Sequence, residues 1–460
     1  MCGLIVTNKE ESEPVLTHAN EFTQRRGPDH TSLFKKDGFT FLHDLLSITG
    51  DFTPQPFIDE GANIVALFNG QIYNYLDFGT YPSDGHIFIP LYKKYGWDFV
   101  RKLDGEFALV MFDFNKGEYL VSADVFATKP LWVAHEGTKV GVASYRSSLE
   151  RLGFIDPQKI TANTTRVYRI ADHTLVDERT VFDFSLEQHK QSLDDFFAAF
   201  EDVVEKRTRN LREKIFIGLS SGHDSGALAL AMTHLKVHFE AYSIVGEENK
   251  EILAQRHRLL QYPPHLIDLT YANILKAREY NKKHAEPHTF EINPTYQVRD
   301  VREDPGAIGL SHICSIAKND GVKIYLSGQG ADEIISDYGR EGKKLASHST
   351  FAGQFPHDLA AHFPWYNFYG GAQRDYLAKE EHISGAYGIE GRYPFLDPAF
   401  VQEFLLLTPE IKNRGYKYPL AEYLRVHDYP FDPEFKKGFV LGRYSLTERV
   451  WARLLNALSK

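Results

Sequence analysis

The stretch Ile215-Phe216-Ile217-Gly218-Leu219-Ser220-Ser221-Gly222-His223-Asp224-Ser225-Gly226-Ala227-Leu228-Ala229 decides how the chain is read. Ile215 to Leu219 is a short apolar run, as expected of a buried parallel strand. It opens into a loop of small and hydroxyl residues, Ser220 to Ser225, and Gly226 to His234 then carries Ala and Leu at helical spacing. Strand, small-residue loop and helix together bind anions: small side chains let backbone N–H groups approach a phosphate, and the helix N-terminus adds partial positive charge. Asp224 sets a carboxylate beside such a phosphate, suited to holding Mg2+. No Gly-Lys-Ser or Gly-Lys-Thr follows, which excludes the lysine-bearing phosphate loop. A well-capped helix start has the same composition, so the loop alone does not establish a nucleotide site.

At 460 residues and 43% hydrophobic content, the chain can bury more than one core, and two domains are expected. The net charge of −10 with no long basic run argues against nucleic acid as the main partner. No apolar run approaches the roughly 20 residues that span a bilayer, and charged residues begin at Lys9-Glu10-Glu11, unlike a signal peptide. Cys2 and Cys314 are too few for a disulfide framework. These features point to the cytosol.

The N-terminus reads Met1-Cys2-Gly3-Leu4-Ile5-Val6. Removal of Met1 before a small residue leaves Cys2 with a thiol and a free α-amine, whose pKa of about 8 suits a local base. In isolation Cys2 reads more readily as a buried core cysteine, and the motifs downstream reverse that. Downstream come Arg25-Arg26-Gly27-Pro28-Asp29, Phe68-Asn69-Gly70-Gln71-Ile72-Tyr73-Asn74-Tyr75, Asp104-Gly105-Glu106-Phe107-Ala108-Leu109 and Asp124-Val125-Phe126-Ala127-Thr128-Lys129-Pro130-Leu131. Alternating stretches such as Glu118 to Ala123 and Val140 to Ser144 suggest antiparallel sheet, and Asn69-Gly70 after an apolar run predicts a hairpin turn.

These motifs resemble the class II, N-terminal-nucleophile (Ntn) glutamine amidotransferase domain. The loop at Ser220 resembles the pyrophosphatase loop of asparagine synthetases. Ser327-Gly328-Gln329-Gly330-Ala331-Asp332-Glu333 and Gly388-Ile389-Glu390-Gly391-Arg392-Tyr393-Pro394-Phe395-Leu396-Asp397 follow in the family's order. The resemblance covers nearly the whole chain. It implies an α/β protein with an Ntn-type αββα sandwich of antiparallel sheets over residues 1–188. A doubly wound parallel α/β domain of the adenine nucleotide α-hydrolase type is implied over 189–460, entered by a helix starting at Ser192-Leu193-Asp194-Asp195.

The resemblance further implies that Cys2 attacks a side-chain amide and releases ammonia, with Asn69 and the Gly70 N–H as oxyanion hole. Asp84 would hold the donor's α-ammonium, with Gln71 at the same site, and Arg26 would lie near the nucleophile unless it only holds its loop. Leu219, Ser220, Ser221, Gly222, Asp224, Ser225, Ile244, Ser327 and Gly328 would bind ATP, and Asp224 and Asp332 would hold Mg2+. Lys436, or its neighbour Lys437, would neutralise departing pyrophosphate. Glu390 would take a proton from the attacking nitrogen, unless it only pairs with Arg392. A small-molecule amide donor and a carboxylate acceptor are the implied partners, without nucleic acid or membrane, and a homodimer is compatible.

Departures at two sites bear on substrate. Where the family has His-Glu-Arg-Leu-Ser, this chain reads His43-Asp44-Leu45-Leu46-Ser47, and Gln71 replaces a glutamate. Leu45 cannot pair with the α-carboxylate of glutamine, so glutamine should bind weakly unless another cation such as Arg25 substitutes. Gln329 stands between the glycines of SGQGADE, and Ala307-Ile308-Gly309-Leu310-Ser311 replaces a Thr-Ile-Arg-Ala-Ser stretch, so a cation suited to aspartate is missing. The expectation is an ATP-dependent amidotransferase acting on a carboxylate other than plain aspartate. The alternatives are a true asparagine synthetase with compensated pockets, or a non-catalytic binding relative.

Overall fold

In the strand Gly3–Thr7, Leu4 and Val6 enter one apolar core while Ile5 enters another, the period of two that a sheet covered on both faces requires. The computed structural model describes residues 1–209, 211–246, 248–292 and 300–433. Two units emerge: one comprises Met1–Asp183, Asn210–Arg212 and Gly385–Glu390, the other Phe184–Arg209, Glu213–Ser384 and the chain from Gly391.

The first unit stacks two six-stranded sheets. One orders its strands Gln158–Lys159, Trp132–Glu136, Lys139–Ala143, Gly3–Thr7, Phe39–Leu45, His30–Lys36. The other orders them Leu175–Thr180, Thr164–Arg169, Glu118–Ala123, Gly105–Asp113, Ile64–Ile72, Phe57–Asp59. All their register-defined pairings are antiparallel. Leu4, Val6, Phe39 and Phe41 of the first meet Val65, Leu67, Val110 and Phe112 of the second in the central core. Helices Glu13–Ala19 and Arg146–Arg151 cover the far face of the first sheet through Leu16, Ala19, Leu149 and Ile5. Helix Phe88–Tyr95 covers the second, with Phe88 packed edge-on against Phe68 at 4.8 Å. This is an αββα sandwich.

Asn69-Gly70 is not a turn. Both residues lie inside Ile64–Ile72, with Asn69 opposite Ala108 and Gly70 opposite Phe107. The glycine is required by close approach: a Cβ at Gly70 would lie 2.0 Å from the Glu106 carbonyl oxygen, and φ is +143°.

In the second unit, parallel strands run in the order His265–Ile267, Glu240–Ile244, Lys214–Gly218, Val322–Leu326, followed by a strand ending at Arg392. Numbered by sequence that order is 3-2-1-4-5, and its reversal lies between Lys214–Gly218 and Val322–Leu326. Ligands of doubly wound sheets bind at the carboxyl ends of such a pair. Helix His223–His234 starts three residues before the expected Gly226, so Asp224 and Ser225 sit in its first turn. Helix Asp194–Thr208 begins where Ser192 Oγ accepts from the Asp194 N–H.

Candidate active sites

Cys2 precedes the strand Gly3–Thr7, and its N–H donates to Asn69 Oδ1 of the facing sheet at 2.8 Å. That bond leaves Asn69 Nδ2 as a buried donor without a partner among the described residues. An unpaired buried donor costs about 1–3 kcal/mol, which a site tolerates when a developing oxyanion will use it. Arg26 is fully buried and donates to the Cys2 carbonyl at 3.0 Å and to Tyr145 Oη at 2.8 Å, so it braces the Cys2 backbone. Burial pushes the Cys2 thiol up against the opposing pull of the N-terminal ammonium.

Beside the thiol lies a cavity of about 40 Å³ lined by Leu45, Gln71, Asp51, Asp84 and Glu390 among others. Asp84 accepts from Gln71 Nε2 and the Ile72 N–H, each at 2.9 Å, while Thr49 Oγ1 donates to Gln71 Oε1 at 2.6 Å. Burial, reinforced by the charge of Glu390, outweighs the Ile72 and Gly85 N–H bonds and pushes Asp84 up to about 7. Three carboxyl side chains line the cavity, and among the described residues no lysine or arginine does; Arg25 is not in its wall. Glu390 belongs to this unit, and its carboxylate meets the Met1 ammonium at 2.5 Å with both groups buried. The structure therefore brings Glu390 to Cys2, and it is not part of the wall of the second unit's cavity.

That second cavity, about 490 Å³, opens at the reversal point of the parallel sheet. Ser220, Gly222, Asp224, Ser225, Ser327, Gly328, Gln329 and Asp332 all line it. Leu219 and Ser221 are absent from its wall, and Ile244 packs instead against the Leu269 cluster. The loop is braced from behind: Arg256 Nη1 donates to the carbonyls of Ser220 and Gly222, at 2.5 and 2.8 Å. A Cβ at Gly226 would lie 2.4 Å from that guanidinium, which explains the glycine. Glu248 accepts from the Ser221 N–H at 2.8 Å, an anion seated on one of the loop's amides.

Sequence reasoning missed Lys417. Its Nζ lies 2.6 and 2.7 Å from the Asp224 oxygens and 2.9 Å from Asp332 Oδ1, and the side chain is 1% exposed. Burial alone would lower its pKa, but the two carboxylates outweigh burial and hold the ammonium above its ordinary value. Lys417 caps helix Tyr418–Val426 in the left-handed region, φ +47°, a strain of about 1–2 kcal/mol that the double ion pair offsets. Tyr416 Oη also donates to Asp332, which begins a π-helical turn, Asp332–Ser336. Two carboxylates aimed at one point fit a divalent cation, and here they hold the Lys417 ammonium. Glu380, pushed up to about 7 mainly by burial, lines the same cavity with Oε2 unpartnered among the described residues. Neither Lys417, in Gly415-Tyr416-Lys417-Tyr418, nor Glu380 carries a local sequence signal. Lys436 and Lys437 lie outside the described residues.

A buried thiol in an αββα sandwich and a carboxylate pair at the mouth of a doubly wound sheet stand in one chain, and its domain matches and relatives make it a C–N bond-forming amidotransferase. Residues 1–185 match the glutamine amidotransferase domain family, and 196–369 match the asparagine synthase family. The chain belongs to the asparagine synthetase family. It is 26% identical to a putative glutamine-hydrolyzing asparagine synthetase of Methanocaldococcus jannaschii, over 90% of this chain and 82% of that one. A probable glutamine-hydrolyzing asparagine synthetase of Schizosaccharomyces pombe is 25% identical, over 94% and 82% respectively. Asparagine synthetase 3 of Arabidopsis thaliana, also glutamine-hydrolyzing, is 26% identical over 90% of this chain and 72% of its own length.

Proposed function

We propose that this ATP-dependent amidotransferase binds glutamine weakly at its N-terminal site and uses an acceptor other than plain aspartate. The lining of the Cys2 cavity carries the reading. An α-ammonium finds Asp84 there, but an α-carboxylate finds Leu45 and the carboxyl groups of Asp51, Asp84 and Glu390. A desolvated carboxylate left without a cation typically costs several kcal/mol, on the order of a hundredfold or more in affinity. An amide donor lacking that carboxylate, or free ammonia, avoids the cost.

Cys2, after loss of Met1, passes its thiol proton to its own α-amine and attacks the donor amide carbon. Asn69 Nδ2 and the Gly70 N–H take up the oxyanion charge, and Arg26 keeps the Cys2 backbone in register. In the second unit, bound ATP with Mg2+ would supply an adenylyl group to the acceptor carboxylate with release of pyrophosphate, and ammonia attacking the activated acyl carbon would displace AMP. Ser220, Gly222, Ser225 and the helix start at His223 would receive the phosphates, Asp224 and Asp332 would hold the cation in place of the Lys417 ammonium, and Lys417 would then balance phosphate charge. Lys379 also lines this cavity, only loosely held by Asp304 at 3.5 Å, and can meet an acceptor carboxylate. Tyr325, Tyr338, Tyr376 and Tyr416 share the wall, favouring an acceptor with more apolar surface than aspartate. Two free, buried cysteines suit a reducing cytosol.

Steady-state glutaminase assays and ATP–pyrophosphate exchange across a panel of carboxylates test this. A high glutamine KM with exchange driven best by a non-aspartate acid is expected. Ordinary glutamine and aspartate dependence would refute it, and exchange with no acid would favour a binding protein.

A further inference from the structure

Outside both cavities, Glu201, His234 and His427 place one ligand atom each within 4.8 Å of one another, the only such grouping of metal-ligating side chains among the described residues. We infer that this cluster binds a late first-row divalent transition metal, Zn2+ above all, and clamps three helices of the second unit together. The site is built from helix Asp194–Thr208, the last residue of helix His223–His234, and His427, the C-cap of helix Tyr418–Val426.

Three features favour a metal over a chance meeting of surface side chains. His234 Nδ1 stands 3.0 Å from Glu201 Oε1, close to the roughly 3.3 Å between ligand atoms of a tetrahedral zinc site with bonds of about 2.0–2.1 Å. A metal there replaces the proton these atoms share. The remaining groups are already oriented as supporting groups usually are: His427 Nδ1 is hydrogen-bonded to the Tyr423 carbonyl at 2.8 Å, which leaves Nε2 as its ligand atom. Tyr423 Oη donates to Glu201 Oε1 at 2.8 Å and steadies the carboxylate. Finally, two helices end at the cluster, and the negative ends of their dipoles favour a cation. Two imidazoles and one carboxylate suit Zn2+, Co2+ or Ni2+ and not Mg2+, which prefers an all-oxygen octahedron.

The placement has a consequence. The two helices that end at the cluster begin at the second cavity, one with His223-Asp224 and the other capped by Lys417, and they pack against each other. Asp224 and His234 are ten positions apart on one helix, roughly 15 Å. A metal joining their C-terminal ends therefore fixes the two elements whose N-terminal ends carry the Asp224–Lys417 ion pair.

The test uses the metal-stripped full chain titrated with Co2+. One ion per chain should bind, with the intense visible bands of tetrahedral Co2+, and be displaced by Zn2+ but not by millimolar Mg2+. Replacing His234 and His427 together by Ala should abolish the bands and the Zn2+-dependent rise in thermal midpoint, while leaving the metal-free midpoint unchanged because both side chains lie at the surface. Tyr423→Phe should weaken Co2+ binding by about 10- to 100-fold. Replacing His238 and His265, which flank Glu240 elsewhere in this unit, should change nothing. Absence of tetrahedral bands in the wild type, or their persistence in the His234→Ala/His427→Ala protein, would overturn the inference.

Discussion

Replacing Lys417 by Met keeps an unbranched chain in the same space and removes only the ammonium. Because Asp224 and Asp332 both contact one nitrogen, at 2.6 and 2.9 Å, their carboxylates lie about 5.5 Å apart or less and repel by about 3 kcal/mol at an effective dielectric of about 20. That figure agrees with the 3–5 kcal/mol that typically follows from removing one member of a buried ion pair. Lys417→Met should therefore lose about 3 kcal/mol of stability at neutral pH in urea unfolding without divalent ions. Millimolar Mg2+ should restore more stability to the variant than it adds to the wild type, since the freed carboxylates then have a cation to hold. Asp332→Asn in the same background should recover part of the loss by removing one of the repelling charges. ATP–pyrophosphate exchange should fall in the single variant whatever the Mg2+ concentration, because phosphate charge is less well balanced. A Lys417→Met protein as stable as the wild type in Mg2+-free buffer, or with the same Mg2+ response, would refute the argument that Lys417 occupies a cation site.

If Asn69 Nδ2, unpartnered among the described residues, serves the oxyanion as proposed, Asn69→Ala should lower kcat for amide hydrolysis by about 10²–10³ with little change in KM; steady-state kinetics decides. Leu45→Arg places a guanidinium in the wall of the Cys2 cavity, and glutamine KM should fall by on the order of tenfold or more if the missing cation is what limits binding. With Asp84 pushed up to about 7 by burial, its carboxylate forms only as pH rises through that value, so kcat/KM for an ammonium-bearing donor should climb from about pH 6 to 8. A raised carboxyl pKa also means that ionisation costs the folded state, so Asp84→Asn should gain stability relative to the wild type as pH rises from about 4 to 8, and its weaker kcat/KM should lose the rise near 7. Cys2→Ala should abolish amide-dependent synthesis while product still forms with free ammonia as nitrogen source.

The strand, loop and helix around Ser220 were legible because their constraint is local: small residues between a strand and a helix can be read without knowing what packs against them. The sandwich was legible through alternation, as in Gly3–Thr7. Asn69-Gly70 was misread for a reason that lies outside its own strand. A neighbouring carbonyl, 2.0 Å from where a Cβ would stand, demands the glycine that a hairpin would also have demanded. Lys417 was invisible for a related reason: it meets Asp224 across 193 residues of sequence, in a stretch whose pattern is ordinary. Glu390 carried a recognisable motif and still lay elsewhere than its motif suggested, because a motif states the residue type and leaves open which charge will neutralise it. Here that charge is the Met1 ammonium. If Met1 is removed, the amine of Cys2 becomes the nearest chain terminus, and Glu390 is left a buried carboxylate beside the thiol with an amine to pair. An ionised Glu390 raises the pKa of both the Cys2 thiol and Asp84. Glu390→Gln should therefore make the thiol easier to ionise while weakening the hold on the new N-terminal ammonium. A thiol-alkylation profile displaced to lower pH in the variant would show that the carboxylate acts on the nucleophile; an unshifted profile would separate Glu390 from the chemistry of Cys2.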